Sequence, residues 1–361
     1  MTERTHRAHR AALTAGLMAA LTPFAVAFQD TAEPTEEVDE WTALDREIQA
    51  LDNLDFYDEP AAELWGYTRV SLFQQKDSSA AGVNLDNLRL NLTGSVSDYS
   101  YRVTTDLAPG HLDLQDAWLS VPVGDQVAFT FGQFKLPMLR SGLVEARDLL
   151  LIARTRNGIY WSRRDQGVMA NGHHGRFHWA LAGQNGSDSE KDRWVVTGNA
   201  RVNVIGEQEL PWEGAYGAHS LTRLTFGAGV SDDQASSNGT AVAVDAYLVH
   251  KRFSLQAEWL DYARDYTLVD PPEQRGSTSP WSVTASFMLQ PDKVELAVRY
   301  DEFDDVHGPR DLKRRTLTLG VNRYIEGHDL KWQLNYAAAH KGGRDDGLHD
   351  HVLALGVTAS F

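Results

Sequence analysis

Cysteine is absent from all 361 residues. An exported chain of this kind therefore carries no disulfide framework, and a thiolate metal site is excluded. Long apolar runs are scarce as well. Beyond position 27 no stretch is apolar for long enough to cross a bilayer as a helix, and the mean hydropathy is −0.39. That excludes a helical inner-membrane protein. It leaves a membrane β-barrel open, because barrel strands are apolar on one face only and keep the average low. Basic residues are the minority, 34 against 50 acidic, for a formal charge of −16. This balance argues against nucleic acid as a partner and suits a chain kept soluble in the periplasm before insertion. There is also no Gly-x-Ser-x-Gly elbow, no Gly-rich phosphate loop and no His-Glu-x-x-His motif, so nothing calls for a cofactor and no catalytic residue is assigned.

The N-terminus is informative. Arg4, Arg7 and Arg10 precede an apolar run from Ala11 to Phe24 and the small-x-small triplet Ala25-Val26-Ala27. This predicts a signal peptide over 1–27; a membrane anchor fits less well, since the run is short and contains Pro23. Residues 28–61 are acidic, with Trp41, Leu44, Ile48 and Leu51 spaced by three and four. That spacing predicts a periplasmic segment holding a short amphipathic helix, or a small coiled coil between subunits.

From Ala62 to Phe361 the pattern has period two. Leu88, Leu90 and Leu92 alternate with Arg89, Asn91 and Thr93, and Val294, Leu296, Val298 and Tyr300 repeat the theme, as do Leu330, Trp332, Leu334 and Tyr336. Alternation marks a sheet with one apolar and one polar surface. Sixteen such runs are expected, near 63–74, 84–96, 99–107, 113–121, 127–134, 167–172, 177–184, 195–204, 221–230, 241–251, 253–262, 282–289, 294–300, 315–324, 330–338 and 352–361. Tight turns are expected at Val96-Ser97-Asp98, Val123-Gly124-Asp125, Gly172 to Arg176, Lys251-Arg252, Gln290-Pro291-Asp292 and Glu326-Gly327-His328. Polar stretches at 231–240, 266–280, 302–313 and 341–350 read as extracellular loops. The final run places Leu353, Leu355, Val357, Ala359 and Phe361 on one face and ends on an aromatic residue, as outer-membrane barrels do. The expected fold is all-β: a transmembrane antiparallel β-barrel of about sixteen strands in the cell outer membrane.

Lipid decides the faces. An arginine at mid-bilayer on the lipid side costs roughly 2–4 kcal/mol, so Arg69, Arg89, Arg102 and Arg299 are expected to point inward and line a pore. The segment 134–164 holds Lys135, Arg140, Arg147, Arg154, Arg156, Arg163 and Arg164 against Glu145 and Asp148. Its run Leu149, Leu150, Leu151 and Ile152 suggests a loop folded against the wall, whose arginines would favour anions at a constriction. The alternative is an ordinary extracellular loop whose arginines meet lipopolysaccharide phosphates or neighbouring carboxylates. Asp106, Glu258 and Asp301 also fall on inward faces, so the lumen is mixed in charge. His173, His174 and His178 would bind metal weakly at most, the acidic run Asp301 to His307 lacks EF-hand spacing, and Asn238-Gly239-Thr240 reads as a loop.

Phe131-Gly132-Gln133-Phe134-Lys135-Leu136-Pro137-Met138 resembles the strand-to-loop motif of the phosphate-selective porin O and P family. Gly66-Tyr67-Thr68-Arg69, Leu88-Arg89-Leu90, Asp116-Ala117-Trp118-Leu119 and Arg164-Asp165-Gln166-Gly167 support the resemblance, which is specific over about 62–172. It implies a sixteen-stranded barrel, usually trimeric, in which lysines and arginines guide anions to a constricted centre; Lys135 and the arginines after it carry over. The function this implies is passive, anion-preferring diffusion of phosphate-like solutes, with outer-membrane lipid, lipopolysaccharide and sister subunits as partners. A non-conducting structural or adhesive barrel, a secreted glycan-binding sandwich and an outer-membrane hydrolase are the alternatives.

Overall fold

The computed structural model describes residues 62–76, 80–108, 110–186, 194–233, 239–262, 279–305, 312–341 and 348–361. The expected signal peptide, the acidic segment 28–61, Asn238, His307 and much of the expected extracellular loops lie outside these residues.

The described residues form a closed antiparallel barrel of sixteen strands. In chain order they are β1 (Ala62–Gln75), β2 (Ala81–Val96), β3 (Tyr99–Asp106), β4 (Asp113–Val123), β5 (Val127–Lys135), β6 (Arg164–His174), β7 (Phe177–Gln184), β8 (Val195–Ile205), β9 (Thr222–Asp233), β10 (Gly239–His250), β11 (Phe253–Tyr262), β12 (Trp281–Gln290), β13 (Val294–Asp305), β14 (Leu312–Glu326), β15 (Leu330–Lys341) and β16 (Leu348–Ser360). Each strand pairs with its sequence neighbours, and β1 closes the ring on β16, with Tyr67 opposite Ser360 and Leu72 opposite Leu355.

The register converts the alternation into two surfaces. Val244 and Trp259 are cross-strand partners and both face outward, while their neighbours Asp245 and Glu258 pair on the inner side and are buried. Leu319, Val321, Leu334 and Leu355 are exposed on the outside, whereas Thr318, Asn322, Gln333 and Asn335 are buried inside. An apolar outside is what hydrocarbon requires, and closure leaves no unpaired edge in it.

One end of the barrel carries the tight turns expected from sequence. Ser97, Lys251 and Asp292 adopt positive φ there, as do Gly124, Gly175 and Gly327, the handedness that short hairpin connections demand. Two departures stand out. First, β13 to β16 run on into 302–313 and 341–350, which were expected to be loops. Alternation is enforced only where lipid covers one face, so ladder pairing continues past the bilayer with no sequence signal. Second, one connection at the tight-turn end is long: 206–221, between β8 and β9.

Candidate functional site

Most inner-wall side chains are buried because the connection 136–163 folds into the lumen. It contains two short helical turns, Arg140–Leu143 and Arg156–Trp161, and a 3-10 turn at Ala146–Asp148. Met138, Leu139 and Trp161 pack against Ala241 and Ala243 of β10 and Leu260 and Tyr262 of β11, with Trp161 Nε1 donating to Tyr262 Oη at 2.8 Å. Leu150 and Leu151 pack on Ala297 of β13. Each apolar side chain buried this way contributes about 1.5–3 kcal/mol. Small inner-wall residues make the room: a Cβ at Gly320 would strike Leu151, and one at Gly229 would strike the Met138 carbonyl. Gly132 in the strand leading into the loop has φ +123 and lies on the Ala117 carbonyl, so a side chain there is excluded.

Wall side chains satisfy the loop's peptide groups. Arg69 Nη2 donates to Ile152 O at 2.7 Å, Arg299 Nη1 to Ala153 O at 2.8 Å, Lys331 Nζ to Leu149 O at 2.8 Å and Asn322 Nδ2 to Leu150 O at 2.8 Å. Ile152 N donates to Asn335 Oδ1 at 2.7 Å, and Asn199 Nδ2 to Met138 O at 2.9 Å. From the end of β5, Lys135 Nζ donates to Leu143 O at 2.8 Å and Val144 O at 3.1 Å, while within the loop Arg154 donates to Ser141 O at 2.7 Å and Val144 O at 2.5 Å. A buried carbonyl left unpaired would cost about 1–3 kcal/mol. The clamps therefore explain how an apolar run stays seated inside a polar barrel.

The remaining cations meet carboxylates. Glu145 lies 3.1 Å from Arg102 and 3.5 Å from Arg89, which also binds Asp106 at 3.0 Å. Arg164 grips Asp116 with two nitrogens, and Arg299 meets Asp301 at 2.8 Å. Arg147 reaches Asp329 at 3.1 Å with its guanidinium over the Trp65 ring. Arg140, almost fully buried, lies 3.7 Å over the Tyr247 ring and donates to Gln256, Leu210 O and Trp212 O. Of the nine residues expected at the pore, Arg69, Arg299, Lys135 and Arg154 thus hold loop backbone, Arg89 and Arg102 hold Glu145, and Arg140 and Arg147 bridge to other segments. Arg156 is exposed and lies in the field of Asp301. Arg102 and Arg147 keep 20% and 27% of their side chains accessible.

A cavity of about 460 Å³ sits in this lumen, lined by Arg140, Glu145, Asp148, His178, Arg201 and Glu209 among others. Burial disfavours the Glu145 anion, but Lys135, Arg102 and Arg89 outweigh it and hold the carboxyl well below its usual range. Asp148 goes the other way: burial pushes it up to about 6, with Arg147 and Lys331 offsetting only part. The folded protein therefore binds a proton here near pH 6 that the unfolded chain binds only near pH 4, so this group adds stability as pH falls through that window and loses it above about 6. The lumen gains positive charge over the same window. The anion-to-cation permeability ratio, read from reversal potential, is expected to rise from about pH 8 to about pH 5, with a smaller rise in Asp148→Asn than in the native chain.

Sequence reading missed the segment 206–221 and the carboxylates Glu209, Glu213 and Glu295, because neither alternation nor a charge run marks them. His173 and His178 stack at 5.8 Å; among the described residues no group of three or more His, Cys, Asp or Glu is placed to hold a metal.

Residues 218–358 match the family model of phosphate-selective porin O and P. The match falls on the later strands, whereas the motifs carrying the resemblance lie in the first half. No curated protein matches the chain. Many solved structures are similar, three of which illustrate the likeness. A loop L8 deletion mutant of OmpT, an outer membrane protein of Vibrio cholerae, is 14% identical over 83% of this chain and 99% of its own, with a TM-score of 0.61. An anion-selective porin from Comamonas acidovorans is 12% identical over 84% and 100%, with a TM-score of 0.59. In-vitro folded OmpT of Vibrio cholerae in its trimer form is 13% identical over 83% and 99%, also at 0.59. At such identities the likeness is one of fold, and the fold is that of an outer-membrane porin barrel.

Proposed function

We propose that this outer-membrane barrel is a passive diffusion channel, not an enzyme, whose narrow part prefers small anions of the phosphate type and which assembles as a homotrimer. One observation carries the reading: a connection with five basic and two acidic residues over 136–163, flanked by Lys135 and Arg164 at the strand ends, occupies the lumen of a protein whose net charge is −16. Arg156, Arg102 and Arg147 supply accessible guanidinium groups, and a guanidinium fork suits phosphate or carboxylate. The match to phosphate-selective porins and the likeness to an anion-selective porin support the preference; the trimer form of a similar barrel supports the assembly.

Planar-bilayer recordings under a salt gradient, with and without phosphate, test it. The native chain is expected to conduct with an anion-signed reversal potential, and Arg156→Ala to lower the anion-to-cation permeability ratio by about twofold in a barrel that still folds. Folded barrels that never conduct would refute the channel and put a structural or adhesive barrel in its place.

A further inference from the structure

The turn between β8 and β9 is the one connection at its end of the barrel that breaks the rule of two or three residues, and it turns inward. Leu210, Ala215 and Ala218 are buried, on a bed formed by Tyr247 and Val249 of β10, Met288 of β12 and Tyr324 of β14. Tyr247 Oη donates to Gly214 O at 2.8 Å, and Ala215 N donates to Glu295 Oε1 at 2.6 Å. Gly214, at φ +92, lies between the Glu295 carboxylate and Leu150, where a side chain would collide with both. There the segment meets the loop from the other mouth. Glu213 N donates to Asp148 O at 3.0 Å, Leu150 N donates to Glu213 Oε2 at 3.1 Å, and Arg140 of the loop reaches across to Leu210 O at 2.8 Å and Trp212 O at 2.7 Å, with Glu209 at 3.3 Å.

We infer that residues 206–221 are a second constriction element, entering from the tight-turn mouth and stapled to the first by Arg140 and Glu213, and that solute passes through the chamber the two enclose. The inference rests on the channel reading. Both elements line the cavity of about 460 Å³: Arg140, Glu145 and Asp148 from the loop, Gln208, Glu209 and Leu210 from the segment. Glu209, with 28% of its side chain accessible, brings to that chamber a carboxylate held by Arg201 at 2.8 Å and by Arg140 at 3.3 Å. Selectivity is then set by two elements of different charge and not by the basic loop alone.

The absence of cysteine makes a direct test possible. In Gln208→Cys the only thiol lines the chamber, and a sulfonate-bearing methanethiosulfonate reagent is expected to lower single-channel current by at least about twofold, faster from the tight-turn side. Replacing 206–221 by Asn-Gly restores an ordinary hairpin turn and is expected to raise conductance by about twofold. Complete labelling, confirmed by mass, with unchanged current would overturn the inference even if the shortened chain failed to fold; so would unchanged conductance of a folded shortened barrel. A native chain without any current sinks the channel reading itself, which separates the two failures.

Discussion

The double substitution Leu150→Asp, Leu151→Asp is expected to raise single-channel conductance by about two- to threefold and to weaken anion preference. Both side chains are 1% exposed, pressed against Ala297 and the bare Cα of Gly320. A carboxylate in either place is pressed against Ala297 and Gly320 in place of water, and desolvating a charge costs several kcal/mol. The apolar burial of two leucines is lost at the same time, about 1.5–3 kcal/mol each. Against this, the clamps from Lys331, Asn322 and Arg69 contribute roughly 1–3 kcal/mol apiece, which does not hold a loop carrying two buried anions. The barrel survives because its ladder hydrogen bonds involve no residue of the loop, so heat-modifiable gel mobility should stay native while the lumen opens. Unchanged conductance in a folded double mutant would show that the loop does not limit the passage.

The second large effect is expected on the outside. Leu319 lies near the middle of β14, with Val298 and Tyr336 as outward neighbours across the ladder. It is 47% exposed in the isolated chain. Leu319→Arg should destabilise the bilayer-inserted barrel by about 2–4 kcal/mol, measured by denaturant unfolding from lipid vesicles, with Leu319→Ala costing less. A loss below about 1 kcal/mol would mean that this row faces a sister subunit or water and not hydrocarbon.

Much of the fold was legible because lipid leaves few choices. A strand with hydrocarbon on one side must alternate, so Leu317, Leu319 and Val321 announce themselves, and Glu326-Gly327-His328 punctuates them. What alternation does not encode is what fills the inside. An inward arginine reads the same whether it faces water or grips a carbonyl: Arg69 and Ile152 are 83 positions apart, and nothing local joins them. The better clue was the wall itself. Gly229, Ala241, Ala243, Ala297 and Gly320 are small where a water-filled pore would tolerate larger polar residues, and each lies under the loop. The segment 206–221 had no such clue, since its buried residues follow no period and its contacts are mostly from backbone atoms.

The seam where β1 meets β16 has a kinetic consequence. Tyr67 and Ser360 are cross-strand partners about 290 positions apart, so the loop that closes on pairing them is nearly the whole barrel, and its entropy must be spent before any of its contacts form. The hairpins from β2 to β15 join neighbours and can zip locally. Ring closure then comes last, and until it happens β1 and β16 are bare edges ready to pair with another chain. The dangerous species for this protein is therefore an almost finished sheet, and slow assembly at high concentration should yield tangled dimers joined at that seam.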